Sequence, residues 1–306
     1  MNPELKNLNL VYRKLKISDY NKFKILFYLC FNKKISFKFF KWRYFSNKFS
    51  FCYGAFEKSS LIANVGMVSK KLNNNKLERV FSRHSSMVLK KYRGLGIFST
   101  LLKKVKKKIS NNVRIVITWP NKNNFSNFDV KEKDIIKKKY YLYKTTKTAS
   151  FQKNIKSHNI NELNKLKYFI KNNNSFFLKN FDYYKKRYLS YQKQDYIINK
   201  FIFNNLTSFF ILKCNKDSFD KNYVVLDHFG CQKIKSKHLS YLIKEQNNLI
   251  FLSKNKINKS NLKLLNFLNF KILFVNKLRF KQKKIIMRNK EIFLGDTDIF
   301  IKIGKV

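Results

Sequence analysis

The segment Lys91-Tyr92-Arg93-Gly94-Leu95-Gly96-Ile97-Phe98 gathers residue types that hold a phosphate. A strand-like run precedes it and a helical pattern follows. A helix N-terminus presents unpaired N–H groups and the positive end of a dipole. Gly94 and Gly96 allow close backbone approach to an anion and dihedrals that other residues avoid. Arg93 adds charge, and Ser99 puts a hydroxyl in the first helical turn. The spacing is not that of a P-loop, G-x-x-x-x-G-K-[ST]. It also lacks the third glycine of the dinucleotide fingerprint G-x-G-x-x-G. The bland alternative is an ordinary strand-to-helix turn with a stray arginine.

Other groups carry less. The cysteines stand at 30, 52, 214 and 231, with no C-x-x-C, so neither a disulfide framework nor a zinc site is expected. Asp227, His228 and His238 lack a third partner at metal-ligand spacing, so no metal is predicted. Trp42, Arg43 and Tyr44 read as core and lip packing. Leu294-Gly295-Asp296-Thr297-Asp298 reads as a turn, in preference to an anionic point for a cationic amine.

The elements that must position the glycine segment follow from periodicity. Residues 8–16 alternate as a strand, and Ser18 with Asp19 opens a helix over 21–31. A second helix is expected over 35–45. Strands are expected at 51–56, 61–68 and 77–89. A helix begins at Ile97 and carries Ile97, Leu101, Val105 and Ile109 at a spacing of four. The apolar run 113–119 reads as a buried strand. Together these give an α/β fold with a mixed central sheet flanked by helices.

Residues 121–156 are polar and Lys-rich, and a domain boundary is placed near 145–157. The domains are 1–148 and 157–306. The second half repeats the first in outline. Lys41-Trp42-Arg43-Tyr44-Phe45-Ser46 is echoed by Lys185-Lys186-Arg187-Tyr188-Leu189-Ser190, an offset of 144. Strands are expected at 196–203, 208–213 and 223–228, then a helix over 236–245, a strand at 249–253, a helix over 259–269 and a strand at 270–276. This order points to an internal duplication. The second half has no R-x-x-G after its third strand, so only the first half is expected to bind an anionic cofactor there.

Residues 86–102, centred on Arg93-Gly94-Leu95-Gly96-Ile97-Phe98, resemble the acyl-CoA-binding motif [RQ]-x-x-G-x-[GA] of the GNAT superfamily of N-acyltransferases. Arg93 and Gly96 match, while Phe98 replaces the final small residue. The resemblance covers roughly residues 8–145, and it implies a tandem GNAT-like chain with a degenerate second half. It implies that Met87, Val88 and Leu89 offer a strand edge to the pantetheine arm. Arg93 and the backbone of Gly94, Leu95, Gly96, Ile97 and Phe98 would hold the pyrophosphate, with Ser99 beside them. The family sheet splays between the strands at 77–89 and 113–119, and Asn121 would hydrogen-bond the pantetheine or acyl carbonyl. A cap role for Asn121 stands equally open. The implied reaction is direct transfer of an acyl group, acetyl in the first instance, from acyl-CoA to an amine of a small molecule or sugar. It needs a group that takes the amine proton and an acid near the departing thiolate, and backbone donors for the oxyanion. Glu78, His84 and Ser86 share parity on one strand and are the proton-handling candidates if that strand has no bulge; a merely packed His84 is the alternative. Tyr140, Tyr141 and Tyr143 are candidate thiolate acids by the same resemblance, with Tyr140 placed first. A homodimer stays open.

Charge excludes less than it suggests. Lys and Arg number 67 against 17 Asp and Glu, a formal charge of +50 in 306 residues. Residues 1–150 carry 35 basic and 7 acidic residues, and the remainder 32 and 10, so no arm or tail holds the charge. Only nine of the basic residues are Arg, and Asn, Ile, Phe and Tyr are abundant, which a compositional drift toward A/T-rich codons explains. A basic RNA- or DNA-binding protein without catalysis is the competing class. No Arg-rich arm, RNP motif or zinc finger supports it, so no specific nucleic acid is expected. The composition is 44% hydrophobic, which is ample for packed cores. The most apolar early stretch, 25–31, is far shorter than the ~20 residues of a membrane span. The sequence therefore predicts a cytoplasmic chain with no membrane span.

Overall fold

The computed structural model describes residues 9–71, 79–109, 115–118, 135–146, 157–171, 179–189, 195–215, 222–245, 249–253, 256–257 and 262–274. These fall into two compact units. The first holds the described residues up to Lys137 together with 270–274, and the second those from Lys138 to Asn269.

The first unit begins with strand β1 (Leu10–Lys14), helices α1 (Tyr20–Phe31) and α2 (Phe37–Tyr44), and strands β2 (Phe51–Glu57), β3 (Ser60–Lys71) and β4 (Arg79–Val88). Helix α3 (Ile97–Ile109) and strand β5 (Ile115–Thr118) follow. Strands β1 to β4 form an antiparallel meander, and β5 lies parallel to β4 after the α3 crossover. Helix α3 buries Ile97, Leu101, Val105 and Ile109, the four residues its spacing of four singles out, against Val65, Met67, Phe81 and Val116. Each such side chain contributes roughly 1.5–3 kcal/mol by leaving water. The exposed lysines of α3 keep their charge in solvent. Helices α1 and α2 cover the other face with Phe23, Phe27, Phe40 and Tyr44.

The start of α1 departs from expectation. Ser18 does not cap it: a short 3-10 turn, Ile17–Asp19, comes first. Asp19 instead accepts from the Lys16 N–H at 2.8 Å and from Arg13 at 2.7 and 2.8 Å. The Arg13 guanidinium holds the Asp19 carboxyl below the usual range.

The second unit repeats the topology. It contains β7 (Ser157–Asn159), a 3-10 helix (Ile160–Lys171), α4 (Phe181–Tyr184) running into a π-helical turn (Lys185–Leu189), β8 (Asp195–Phe203), β9 (Leu206–Asn215) and β10 (Asn222–Gly230). Helix α5 (Lys235–Glu245) and β11 (Leu249–Ser253) complete it. Strands β7 to β10 form a meander and β11 lies parallel to β10. The order β7-β8-β9-β10-β11 thus matches β1-β2-β3-β4-β5. The fold is duplicated.

Sequence periodicity missed β7 and one further strand, and it recovered only the end of another, within the strand expected at 270–276. Strand β6 (Ile135–Thr145) lies in the polar, Lys-rich stretch, and β12 (Leu262–Phe274) takes up 262–269 of the expected helix. An apolar-rich run such as Leu262-Lys-Leu-Leu-Asn-Phe-Leu fits either period, so distant pairing decides. Residues 271–274 of β12 pair antiparallel with β5 in the first unit. Residues 141–144 of β6 pair with β11 in the second.

Strand β4 is irregular where it matters most. Its register with β3 shifts between Asn64–Met87 and Gly66–His84, so Ser85 and Ser86 oppose one residue. Ser85 takes φ +45°, a left-handed conformation unfavourable for a residue with a Cβ. Two buried groups hold it there. Asn64 Nδ2 donates to the Ser85 carbonyl at 2.9 Å, and Tyr44 Oη lies 2.6 Å from Ser85 Oγ. Gly66 makes room, since a Cβ there would lie 2.5 Å from Tyr44 Cε1. The bulge breaks the parity that would put His84 and Ser86 on one face of an unbroken strand.

Tyr44 is fully buried and cannot swing away. Gly66→Ala is therefore expected to destabilise the chain by about 1–3 kcal/mol, read as a lower midpoint in urea with an unchanged m-value.

Candidate functional site

The described ladder of β4 with β5 precedes the bulge. Their ladder runs Val80–Ile115, Phe81–Val116 and Ser82–Ile117, and among the described residues it stops there. The next position is bridged by side chains, Arg83 Nη2 donating to Thr118 Oγ1 at 3.1 Å. Arg83 is buried, and desolvation pulls its pKa down to about 10, so it stays charged at neutral pH. Its guanidinium carbon sits 5.8 Å from the centre of the Phe98 ring, at the start of α3.

Hydrogen-bond alternation shows which backbone groups of β4 turn away from β3. Leu89 N–H donates to the Ile62 carbonyl at 3.0 Å, which makes that pair the bonded kind. Asn64–Met87 is then also bonded, whereas the intervening Ala63–Val88 pair is not. Val88 therefore turns its N–H and C=O away from β3. Its carbonyl accepts from Arg93 Nε at 3.1 Å and from Cys30 Sγ at 3.6 Å. Of Met87, Val88 and Leu89, Val88 is the one whose backbone groups face away from β3. Burial raises the Cys30 thiol pKa, with Arg93 pulling the other way, so Cys30 stays a thiol and donates.

A 3-10 turn, Lys90–Tyr92, leads from this edge to the glycines, anchored by the Tyr92 hydroxyl on the Glu57 carboxylate. Gly94 and Gly96 have φ +84° and +78°, as their types foretold. A Cβ on Gly94 would meet nothing within 4 Å, so the backbone there is open on its outer side. The Gly96 carbonyl accepts from Thr100 N–H at 3.0 Å, which leaves the first N–H groups of α3 without intrahelical partners. Arg93, Gly94, Gly96 and Ser99 are exposed, Leu95 and Phe98 half-buried, and Ile97 points into the core. These exposed donor groups follow directly on Val88 in the chain, an arrangement suited to an anion with an extended amide-bearing tail.

His84 lies on β4 just before the bulge. Arg43 of α2 donates to its Nδ1 at 3.2 Å. Arginine only donates, so Nδ1 accepts and Nε2 carries the hydrogen. Trp42-Arg43-Tyr44 thus does more than pack, because it sets both the His84 tautomer and the Ser85 conformation. Periodicity alone could not show this, since the partners lie 41 residues apart. Tyr140, Tyr141 and Tyr143 belong to the second unit. Tyr140 is buried, and the Tyr143 hydroxyl accepts from Ile257 N–H at 2.7 Å. Glu78, Asn121 and residues 294–298 lie outside the described residues.

The turn after β10 in the second unit differs. Gly230 has φ +92°, yet a Cβ there would lie 2.8 Å from the Thr207 carbonyl oxygen. That carbonyl also accepts from Cys231 N–H at 2.8 Å, so the backbone is packed against β9 and closed. Below it runs a buried polar chain. Gln232 Nε2 lies 3.3 Å from His228 Nδ1, His228 Nε2 2.8 Å from Ser208 Oγ, Ser208 Oγ 2.9 Å from His238 Nδ1, and His238 Nε2 2.5 Å from Asn199 Oδ1. The amide donor of Gln232 and the amide acceptor of Asn199 fix one direction throughout, with both rings neutral. Among the described residues no group of three His, Cys, Asp or Glu could hold a metal ion.

No protein-family model matches the chain, and no curated protein sequence does. Solved structures do resemble it. A GCN5-related N-acetyltransferase from Anabaena variabilis superposes with TM-score 0.62 at 9% identity, over 88% of this chain and 73% of the other. A GCN5-related N-acetyltransferase from Kribbella flavida gives 0.57 at 7% identity, over 88% and 71%. N-myristoyltransferase from Saccharomyces cerevisiae, solved with bound myristoyl-CoA, gives 0.59 at 9% identity, over 88% and 83%. The chain shares the fold of these structures, and its own strand order is repeated in the second unit.

The buried histidines generate a prediction. Burial pushes His228 well below its ordinary range, helped by Lys235, His238 and Lys179, and pushes His238 down to about 3. Unfolded histidine titrates near 6.5, so below that pH the unfolded chain binds protons that the folded chain refuses. The stabilisation is complete above about 6.5 and falls away as pH drops. The thermal midpoint is expected to decrease from pH 7 to pH 5, and His228→Gln or His238→Gln should each flatten that slope while lowering stability at pH 7.

Proposed function

We propose that this chain is an acyl-CoA-dependent N-acyltransferase that moves an acyl group, acetyl in the first instance, to an amine of a small molecule or sugar. The observation that carries the proposal is the left-handed pair Gly94 and Gly96, exposed at the start of α3 and close in sequence to Val88, whose backbone groups turn away from β3. The likeness to N-acyltransferase structures supports the same class.

In this proposal Arg93 and the N–H groups of residues 94–98 hold the pyrophosphate, with Ser99 adding a hydroxyl. Val88 N–H and C=O pair with the amide-bearing arm, and Arg93 must release the Val88 carbonyl for this. Bound acyl-CoA supplies an activated thioester, whose acyl carbon bonds to the amine nitrogen as the C–S bond breaks. His84, held by Arg43 with hydrogen on Nε2, donates a hydrogen bond to developing negative charge rather than taking the amine proton. Glu78 is assigned the proton acceptance, and the departing thiolate takes its proton from solvent. The first unit binds the cofactor, and the closed turn at Gly230 excludes the second unit from that role. We place the reaction in the cytoplasm. No helix among the described residues is long and apolar enough to cross a membrane.

Calorimetry with acetyl-CoA tests the assignment. Wild type is expected to bind, Arg93→Glu to weaken binding at least tenfold, and Arg93→Glu with Gly96→Glu to abolish it. Release of free thiol in the presence of a panel of amines then identifies the acceptor. Absence of any heat of binding to wild type would sink the proposal.

A further inference from the structure

Helix α1 is apolar on nearly all sides, yet only part of it is covered. Phe23, Leu26 and Phe27 are buried, while Ile25 and Leu29 are 60% and 61% exposed. Tyr28 and Phe31 are exposed as well, and Phe37 at the start of α2 continues the surface, its ring 5.2 Å from that of Tyr20. Ile25, Tyr28 and Leu29 stand at i, i+3 and i+4, one face of the helix. Thirteen large apolar side chains are exposed among the described residues, and five of them fall within 25–37, so this is a patch rather than scatter.

The charge around the patch selects its occupant. Residues 20–56 contain seven Lys and no Asp or Glu. Lys24, Lys34 and Lys38 are exposed beside the apolar residues. A second copy would bring the same cationic rim against itself, which like charge opposes. Nucleic acid would use the lysines but offers no depth for Ile25 and Leu29. A bilayer with anionic headgroups satisfies both, with apolar side chains entering the headgroup boundary and lysines meeting phosphate and carboxylate.

We infer that the exposed face of α1, with Phe37 and its lysine rim, docks the protein on anionic phospholipid surfaces. This is independent of the proposed acyl transfer.

Co-flotation of the full chain with phosphatidylcholine vesicles containing about 30% phosphatidylserine tests it. Wild type is expected to float with these vesicles and not with pure phosphatidylcholine, and to be released as salt rises. Ile25→Asp with Leu29→Asp should lower the bound fraction at least tenfold while the far-ultraviolet spectrum is unchanged. Lys24→Glu with Lys34→Glu and Lys38→Glu should do the same without touching an apolar side chain. The inference is overturned if wild type stays unbound, if neutral vesicles capture it equally, or if the Asp variant binds as well as wild type. It is also overturned if sedimentation shows that the Asp substitutions dissociate a wild-type dimer, which would make a second copy the occupant.

Discussion

The bulge at Ser85 is the constraint from which the first unit takes its form. Strand β4 pairs antiparallel with β3 on one side and parallel with β5 on the other. The bulge shifts the register with β3 at Ser85 and Ser86, beyond the last described pair with β5 at Ser82–Ile117. A left-handed non-glycine residue costs on the order of 1 kcal/mol or more and persists only where its surroundings dictate it. Here they do: Tyr44 and Asn64 bond the side chain and carbonyl of Ser85, and Gly66 admits the Tyr44 ring. Because Arg43 precedes Tyr44, the same helix turn orients His84. One segment of α2 thus sets both the bulge and the proton arrangement beside it.

The duplicated halves show how a shared topology separates from a shared site. Both units run a meander into a parallel strand, and both turns after the fourth strand contain a glycine with positive φ. Strand β10 even carries its own register shift, between Val225 and Asp227. The difference is clearance. Nothing stands outside Gly94, whereas the Thr207 carbonyl closes on Gly230. The second unit places its polar investment inside, where Asp227 binds Lys179 and Tyr188, and the histidine chain runs from Gln232 to Asn199. Fully satisfied buried networks of this kind rigidify a core, and they are sensitive to protonation because no water can take up a new charge.

The net charge of +50 has two separate consequences. Spread evenly, it creates a general field that attracts anions and is screened by salt. Combined with exposed apolar side chains, as on α1, it acquires a direction. The lysines of α3 lack such neighbours, because that helix turns its apolar stripe inward.

Local physics made much legible from sequence alone. The four-residue spacing of α3, the hairpin strands and the Arg93-Gly94-Leu95-Gly96 turn were all encoded within a few residues of where they act. Gly94 and Gly96 carry positive φ because only glycine takes it without steric cost. What the chain kept hidden depends on partners distant in sequence. The Ser85 bulge needs Tyr44, Asn64 and Gly66, and the His84 tautomer needs Arg43. The assignment of 271–274 to β5, and of 141–144 to β11, rests on pairing across more than a hundred residues. Backbone edges carry no side-chain signature, so which strand completes each sheet was decided by tertiary structure, where an unpaired N–H or C=O in a packed interior is too costly to leave.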